Sequence, residues 1–438
     1  MFLTGRFALL IGSGIIPVVV ISSTTGAAAW AVVGGWLLLA LVLLAVDVIV
    51  AASARAVAVT RRVPSRARLN EPVPVSIALH NTGARTLHAR IRDAWQPTAG
   101  AGTQRQRQRL IVPAGERRRI EIGLHPRRRG ELISEFVMIR SIGPLGLGGR
   151  QARHDVRGAV RVLPAFTSRK HLPSRLARLK ELDGNTSIQV RGQGTEFDSL
   201  REYVRGDDVR SIDWRATARA GTTMLRTWRP ERDRHVVILI DTGRTAAARV
   251  GDGTRLEASL EAALLLGALA SRAGDHVHLE MFDRVVRGRV TGVDGVALLP
   301  AMSDAMAPVH AGLVDTDWPA AFASLRTLTN RPSLIVVLTA QDAAESARGF
   351  LGAFPTAGRA TTVLVGSVTD TSIIEIARGR ASREDVYLAA AAERTLRDAE
   401  NVADAVRRAG GEAIAADPEA LPPRIADRYL ELKAAGRL

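Results

Sequence analysis

Between Arg6 and Asp47 the chain carries no charged side chain. Within that stretch Phe7–Ser22 is apolar but interrupted by Gly12, Gly14 and Pro17, and Gly26–Val46 is dense in Leu, Val and Ala. Each segment approaches the roughly 20 apolar residues that cross about 30 Å of hydrocarbon. Neither has a polar face, which argues against a helical hairpin buried in a soluble core. The joining SSTTG is short and uncharged; Arg6 precedes the first segment, and Arg55, Arg61, Arg62, Arg66 and Arg68 follow the second. An N-terminal transmembrane hairpin is therefore expected over residues 1–55. The positive-inside rule puts its N-terminus and the bulk of the C-terminal part in the cytoplasm, as a multi-pass protein of the cell (inner) membrane. A signal peptide cut near Ala27–Ala29 is the alternative for the first segment, and it leaves the orientation unchanged.

The rhythm changes after the hairpin. VPVSIALHN, HARIRDAW, RRIEIGLH, ELISEFVMIRS and AVRVLPAF alternate with period two, and Asn81–Gly83, Pro113–Gly115 and Pro144–Gly149 supply turns. Strands at this spacing without helical segments predict a small all-β sandwich over 56–166. GAGTQRQRQR and HPRRRGE decorate it, either as solvated loop tips or, for Arg127–Arg129, as contacts to membrane lipid. Residues 167–228 read as a basic linker, with a short helix near Ser174–Leu182, followed by a distinctive charged segment.

From 229 to 438 apolar strands alternate with helices. HVVILID, HVHLEMF, SLIVVLT, TTVLVG and EAIAA are strand-like, and VVRGRV is an antiparallel neighbour. Helices are expected over Arg255–Arg272, near Val296–Ala305, Pro319–Thr327 and Arg394–Arg408, and near Pro423–Ala435. This pattern predicts an α/β doubly wound domain.

The segment Gly194–Asp241 carries the densest chemistry. It interleaves Phe197, Tyr203, Trp214 and Trp228 with carboxylates and guanidiniums, and ends in an apolar strand that delivers Asp241 to its C-terminal tip. Thr195 and Asp198 read as a capping box for a helix over Glu196–Val204, stopped by Gly206. Asp207 and Asp208 lie beside Arg205 and Arg210, and Asp213 beside Trp214 and Arg215, which suggests a partly buried ion-pair network that fixes one geometry. Such a network is either a clamp onto the α/β domain or a recognition surface. The candidate interaction residues are Glu196, Asp198, Arg201, Tyr203, Asp207, Asp208, Arg210, Asp213, Trp214 and Arg219.

GTEFDSLREYVRGDDVRSIDWRATARAG, LRTWRPERDR and the strand ending in Asp241 resemble the signature of a bacterial family named only as domain of unknown function 58. The closing AGGEAIAADPEALPPRIADRYLELKAAGRL is similar to that family's ending. The resemblance implies a von Willebrand factor A-like domain behind a β-domain and a membrane hairpin, in the company of MoxR-type AAA+ ATPases. It also implies a Mg²⁺ site of the Asp-x-Ser-x-Ser kind at the strand tips. Here Asp241 and Thr245 match, Gly243 replaces the first serine, Thr316 stands for the distant threonine, and Ala340 occupies the place of the last aspartate. With a hydroxyl and a carboxylate missing and Arg244 adding positive charge, a weak Mg²⁺ site is the most this set offers. Asp342 or Asp317 would have to substitute. Otherwise Asp241 pairs with Arg244 or caps a helix.

The absence of cysteine excludes disulfides, thiol nucleophiles and cysteine-held zinc. No G-x-x-x-x-G-K-[ST] or G-x-S-x-G sequence occurs, and Gly192–Gly194 is a lone G-x-G. His276 and His278 lack a third ligand nearby in sequence and read as ordinary strand histidines. The net charge of +16 comes almost wholly from arginine, lysine being confined to positions 170, 180 and 433. Charge alone does not specify nucleic acid, so no specific nucleic-acid partner is expected. These observations lead to a membrane-anchored interaction or adaptor protein working with a MoxR-type AAA+ ATPase and making no catalytic residue of its own. The alternatives are a metal-assisted hydrolase at the Asp241 strand tip and a basic nucleic-acid binder.

Overall fold

The computed structural model describes residues 1–25, 28–102, 107–186, 196–205, 207–229, 234–341, 344–357 and 361–438, with side chains outside the description at 107, 183–186, 196–198, 227–229 and 344–346. The chain forms two compact units, Met1–Leu163 and Pro164–Leu438.

In the first unit, two apolar stretches, Gly5–Thr25 and Ala29–Val50, are helical and long enough to cross a membrane. The first is broken at Gly14 into Gly5–Ser13 and Ile15–Thr25. A Cβ at Gly14 would lie 2.3 Å from Trp36 Cδ1, and the Trp36 indole donates to the Leu10 carbonyl at 3.0 Å. The glycine thus lets the ring close on the break, where a backbone acceptor needs a donor.

The strands behind the hairpin follow the period-two pattern. Val73–Asn81 buries Val73, Val75, Ile77 and Leu79, and pairs antiparallel with Val57–Arg62 and Arg117–Leu124. A seven-stranded sheet centres on Gly130–Ile142, which pairs with Leu87–Trp95, Gly148–His154 and Gly158–Leu163. Its remaining strands are Phe2–Leu3, Arg66–Arg68 and Arg107–Val112. Buried side chains from both sheets form one core. Arg61 on one sheet and Asp93 on the other make a buried ion pair at 2.5 Å, and Asp93 also accepts from Trp95 Nε1 at 2.6 Å and Ser134 Oγ at 2.9 Å.

Val57–Arg62, Arg107–Val112 and Gly148–His154 were not among the strands expected. In Arg107–Val112 and Gly148–His154 arginine and glutamine interrupt the apolar pattern, and in Val57–Arg62 an inward position is itself an arginine, Arg61. Arg129 is buried, so the Arg127–Arg129 run is not a uniformly solvated loop tip. Part of the GAGTQRQRQR decoration, residues 103–106, lies outside the described residues.

The hairpin is knitted into this unit at both ends. Phe2 and Leu3 pair with Gly149 and Gly148, and Thr4 donates through its hydroxyl to the Gly146 carbonyl at 2.6 Å. At the far end Asp47 is fully buried and accepts the N–H groups of Leu145, Leu147 and Gly148 at 2.7, 2.8 and 3.0 Å. Arg85 and Arg150 donate to the carbonyls of Ile49 and Val48, the acceptors that every helix leaves open in its last turn.

The second unit opens with a helix over Leu172–Thr186, longer than the one expected. The helix predicted over Glu196–Val204 is instead a strand, Glu196–Glu202, antiparallel to Met224–Arg229. A helix of that length barely repays its nucleation, whereas a facing strand supplies a ladder of hydrogen bonds at once. Thr195 and Gly206, read as cap and stop, lie outside the described residues.

The main sheet of this unit contains β1 (His235–Asp241), β2 (His276–Phe282), β3 (Val286–Val290), β4 (Leu334–Leu338), β5 (Thr362–Val368) and β6 (Glu412–Ala416), in the order β3-β2-β1-β4-β5-β6. All pairs are parallel except β2 with β3. The helices are α1 (Arg255–Arg272), α2 (Leu298–Met306), α3 (Trp318–Leu325), α4 (Ala344–Ala353), α5 (Thr371–Ala377), α6 (Arg383–Arg408) and α7 (Leu421–Ala434). Val236, Ile238 and Ile240 pack into a core with α1, α2 and α7, while Val237 and Leu239 pack into a second core with Phe322, Phe350 and Val406. A sheet covered on both faces is what the continuous apolar runs imply. Helix α6 begins eleven residues before the expected start, at a capping box between Ser382 and Asp385. Helices α4 and α5 were not anticipated.

Two buried polar clusters tie the lower edge of this unit. Tyr429 Oη and Lys433 Nζ both bond to Asp275, the lysine at 2.9 Å, which fastens α7 beneath β2. His235 Nδ1 and His278 Nε2 meet at 2.9 Å, and His278 Nδ1 meets Thr291 Oγ1 at 2.7 Å. Burial above all, then the neighbouring His235 and His276, holds the His278 pKa below its ordinary value.

Two outcomes are expected. Tyr429→Phe should cost about 1–2 kcal/mol of stability by removing the hydroxyl that donates to Asp275 and accepts from Lys433. Asp275→Ala should cost about 3–5 kcal/mol by removing the carboxylate that faces a buried lysine, both read by chemical denaturation. Because the folded state resists protonating His278, the unfolded chain takes up the proton first. Stability is therefore full above about pH 6.5 and falls as pH drops toward the depressed folded value. His278→Asn should flatten the slope of thermal midpoint against pH between about 7 and 5.5.

Candidate functional site

The strand order reverses between β1 and β4, so the connections that leave their C-terminal ends run to opposite sides and frame a crevice, the place where open α/β sheets collect ligand groups. Asp241 ends β1 there and is buried. Its Oδ1 accepts from Gly243 N at 2.8 Å and Thr316 Oγ1 at 2.5 Å; its Oδ2 accepts from Thr245 Oγ1 at 3.1 Å and Thr339 Oγ1 at 2.6 Å. Gln341 Nε2 backs Thr339 at 3.0 Å, and Gln341 Oε1 is buried without a donor among the described residues. A cleft of about 280 Å³ opens beside the cluster, with Arg244, Asp315 and Trp318 on its walls.

The structure thus brings Asp241, Thr245 and Thr316 together, as the sequence pattern requires, and adds Thr339. The expected pairing of Asp241 with Arg244 does not form: Arg244 Nε binds Asp315 Oδ1 at 2.6 Å. Asp317 caps α3 through Ala320 N, Ala340 is buried, and Asp342 lies outside the described residues. Gly243 is fixed by geometry, since a Cβ there would stand 2.3 Å from Thr316 Oγ1. A serine at 243 cannot be accommodated while Thr316 holds Asp241.

Mg²⁺ asks for near-octahedral oxygens, usually with carboxylates and retained waters. The donor set here is one carboxylate whose two oxygens already accept four hydrogen bonds, three hydroxyls turned inward as donors, and a rim carboxylate held by arginine. These residues do not fit a dedicated Mg²⁺ site. They form a hydrogen-bonded latch that ties the tips of β1 and β4 to the loop bearing Thr316.

The signature segment is organised by its carboxylates. Asp207 binds Arg201 Nη2 at 2.6 Å and the N–H of Val204 at 2.9 Å. Asp208 accepts the N–H of Arg210 at 3.0 Å. Asp213 caps the helix Trp214–Ala220 through the N–H groups of Arg215 and Ala216, and its other oxygen binds Arg226 Nε at 2.8 Å. The Ala216 N–H first, with Arg226 next, holds the Asp213 carboxyl below its usual range. The single network expected around Arg205, Arg210 and Arg215 is therefore two separate pairs, Arg201–Asp207 and Arg226–Asp213, both closed within the segment.

Tyr203 is half-buried, and Arg210 and Arg219 are exposed. Trp214, Val204 and Val209 stand out of the segment at 72%, 62% and 61% exposure. The side chains of Glu196 and Asp198 lie outside the described residues. Three participants were not singled out from sequence. Thr339 was visible only as the residue after an apolar run. Arg226 sits in an alternating strand, where a charge ordinarily faces water. Gln341 had no signal.

Disrupting the latch should be visible without any ligand. Asp241→Ala leaves three hydroxyls and an N–H short of an acceptor, and a loss of about 3 kcal/mol is expected in chemical denaturation. Gly243→Ser should lower the thermal midpoint, and millimolar Mg²⁺ should not restore it; a magnesium-dependent recovery would show that the cleft accepts the cation after all.

No protein of curated function matches the chain. Among solved structures, a CARDB domain from Pyrococcus furiosus in complex with di-metal ions aligns at 11% identity over 24% of this chain and 87% of that one, with a TM-score of 0.18. The complex of zinc 2-glycoprotein and prolactin-inducible protein from human seminal plasma aligns at 12% identity over 24% and 92%, with a TM-score of 0.19. A PKD domain of an M14-like peptidase from a Thermoplasmatales archaeon aligns at 10% over 24% and 91%, with a TM-score of 0.16. Likeness at that level carries no argument about fold or function. Residues 199–399, which run from the exposed segment through the Asp241 latch and into α6, match the family described as Protein of unknown function DUF58.

Proposed function

We propose that this chain is a membrane-anchored adaptor whose signature segment docks a protein partner. The observation that carries this reading is the exposure of Trp214, Val204 and Val209 on a small module whose Asp207, Asp208 and Asp213 carboxylates are engaged internally. Exposed large apolar side chains in one segment with exposed arginines, here Arg210, Arg215 and Arg219, have the composition of interaction surfaces. A tryptophan at such a centre is a common anchor of binding energy.

The rest of the architecture supports the same reading. The strand order with its crevice at Asp241 agrees with a von Willebrand factor A-like domain, and the two sheets sharing one core agree with a β-sandwich. The N-terminal residues are paired into the sheet of the first unit, which favours a retained membrane hairpin over a cleaved leader. Arg6 and the arginines after Asp47 support a cytoplasmic side for both ends of the hairpin. The family resemblance nominates a MoxR-type AAA+ ATPase as the partner. The Asp241 latch offers no nucleophile paired with a base among the described residues, so an adaptor is preferred over a hydrolase.

Co-purification of the full chain from membranes with a MoxR-type ATPase tests this. Trp214→Ala should weaken the association roughly 30-fold or more, as expected for an aromatic anchor, without lowering the thermal midpoint. Asp213→Ala should weaken it as well by releasing the helix that carries Trp214. Undiminished association of folded Trp214→Ala protein would remove the surface, and a reporter fusion placing the C-terminus outside the cell would remove the adaptor reading.

A further inference from the structure

The first unit holds a basic cavity that neither the signature segment nor the latch explains. It measures about 790 Å³, and its walls include Arg6, Arg90, Arg109 and Arg140 with no carboxylate among them. Three of these arginines form a rank across adjacent strands. Arg90 is the register partner of Arg109 on one side and of Arg140 on the other. Like charges placed directly opposite on one sheet face destabilise the pairing. Arg140 finds Gln151 and the ring of Phe2 rather than a carboxylate. The rank is therefore an anion site by its own electrostatics, and the planar fork of arginine matches a phosphate.

The cavity adjoins the hairpin. Its wall includes Thr4 and Gly5, where the first helix begins, and that helix has no side-chain cap on its N-terminal N–H groups. Phe2 and Leu3 line both this cavity and a second hollow of about 370 Å³, whose other walls are apolar residues such as Leu41, Leu44, Val48 and Ile49. Those residues belong to the last turns of the helix Ala29–Val50. From Leu41 to Ile49 the helix rises about 12 Å, a length that takes a substantial part of an acyl chain.

We infer that the two hollows together bind one anionic phospholipid. The phosphate headgroup lies against Arg6, Arg90, Arg109 and Arg140, and an acyl chain lies along the helix beyond Phe2 and Leu3. The inference rests on the membrane-anchor reading and adds to it a defined ligand. Charge selects the occupant: a zwitterionic headgroup would leave the arginine rank uncompensated, whereas a phosphatidylglycerol-type headgroup neutralises it. The apolar slot distinguishes a lipid from free phosphate, because only a ligand with a chain uses both hollows.

The test uses the full chain purified in detergent, with bound lipid read by native mass spectrometry. Phosphatidylglycerol should be retained at least tenfold more tightly than phosphatidylcholine of the same chains. The double variant R90Q/R109Q should lose that preference. Its thermal midpoint without added lipid should be equal or higher, since a repulsion has been removed. Glycerol phosphate and inorganic phosphate should bind at least tenfold more weakly than the lipid. Equal retention of the two lipids, an unchanged preference in the double variant, or phosphate binding as tight as lipid binding would each overturn the inference. Protein that stays in solution without detergent and enters no vesicle would overturn the membrane-anchor reading itself. Protein that enters phosphatidylglycerol and phosphatidylcholine vesicles yet shows no selectivity overturns the lipid site alone.

Discussion

Buried aspartates close the joints of this molecule. Asp47 holds the end of the second apolar helix to three backbone N–H groups of the 145–148 turn. Asp93 joins two sheets through Arg61 and is held in its own sheet by Trp95 and Ser134. Asp241 binds the tips of two central strands to the Thr316 loop, and Asp275 fastens the last helix. An ionised carboxylate accepts several donors at once and forms stronger hydrogen bonds than a neutral group. Its burial is tolerated only when those donors are all present, so each joint specifies one geometry.

This use of carboxylates has an electrostatic consequence. The chain has 60 basic and 44 acidic side chains, and several of the acidic ones are turned inward. The arginines left without carboxylates gather on surfaces. One such group is the cross-strand rank Arg109–Arg90–Arg140 beside the hairpin, and another is the exposed Arg210, Arg215 and Arg219 of the segment that carries Trp214. A uniformly basic surface would attract any polyanion. Ranks set beside apolar hollows or an exposed aromatic ring discriminate, because the ligand must present charge and apolar area together.

Much of the α/β half was legible because its strands are continuous apolar runs. HVVILID, HVHLEMF and EAIAA form strands over those same residues, and the helix at Arg255–Arg272 has the expected ends. The strand at Glu196–Glu202 was misread as helix because its partner lies more than twenty residues away, and local capping signals say nothing about a distant ladder. Arginine-rich strands such as Arg107–Val112 were missed for a related reason, since outward charge hides inward alternation. At the latch, Asp241, Thr245 and Thr316 were legible through a resemblance. Thr339 was not, because a hydroxyl after a strand acquires meaning only once β4 is known to neighbour β1. The arginine rank was equally hidden: Arg90, Arg109 and Arg140 are ordinary residues until register aligns them.

The two features of the second unit are separated by the central strand. The chain leaves the exposed segment at Met224–Arg229 and enters β1 at His235, while the latch closes on Asp241 at the other end of that strand. Seven residues of parallel strand span about 20 Å from the entry of β1 to the latch. Trp214 and Asp241 share no hydrogen-bond partner among the described residues, so loss of partner binding at one and loss of stability at the other should be nearly independent. Strong coupling between them would mean that β1 transmits a change in one end of the sheet to the other, a two-state behaviour that a strand buried on both faces and paired on both edges resists.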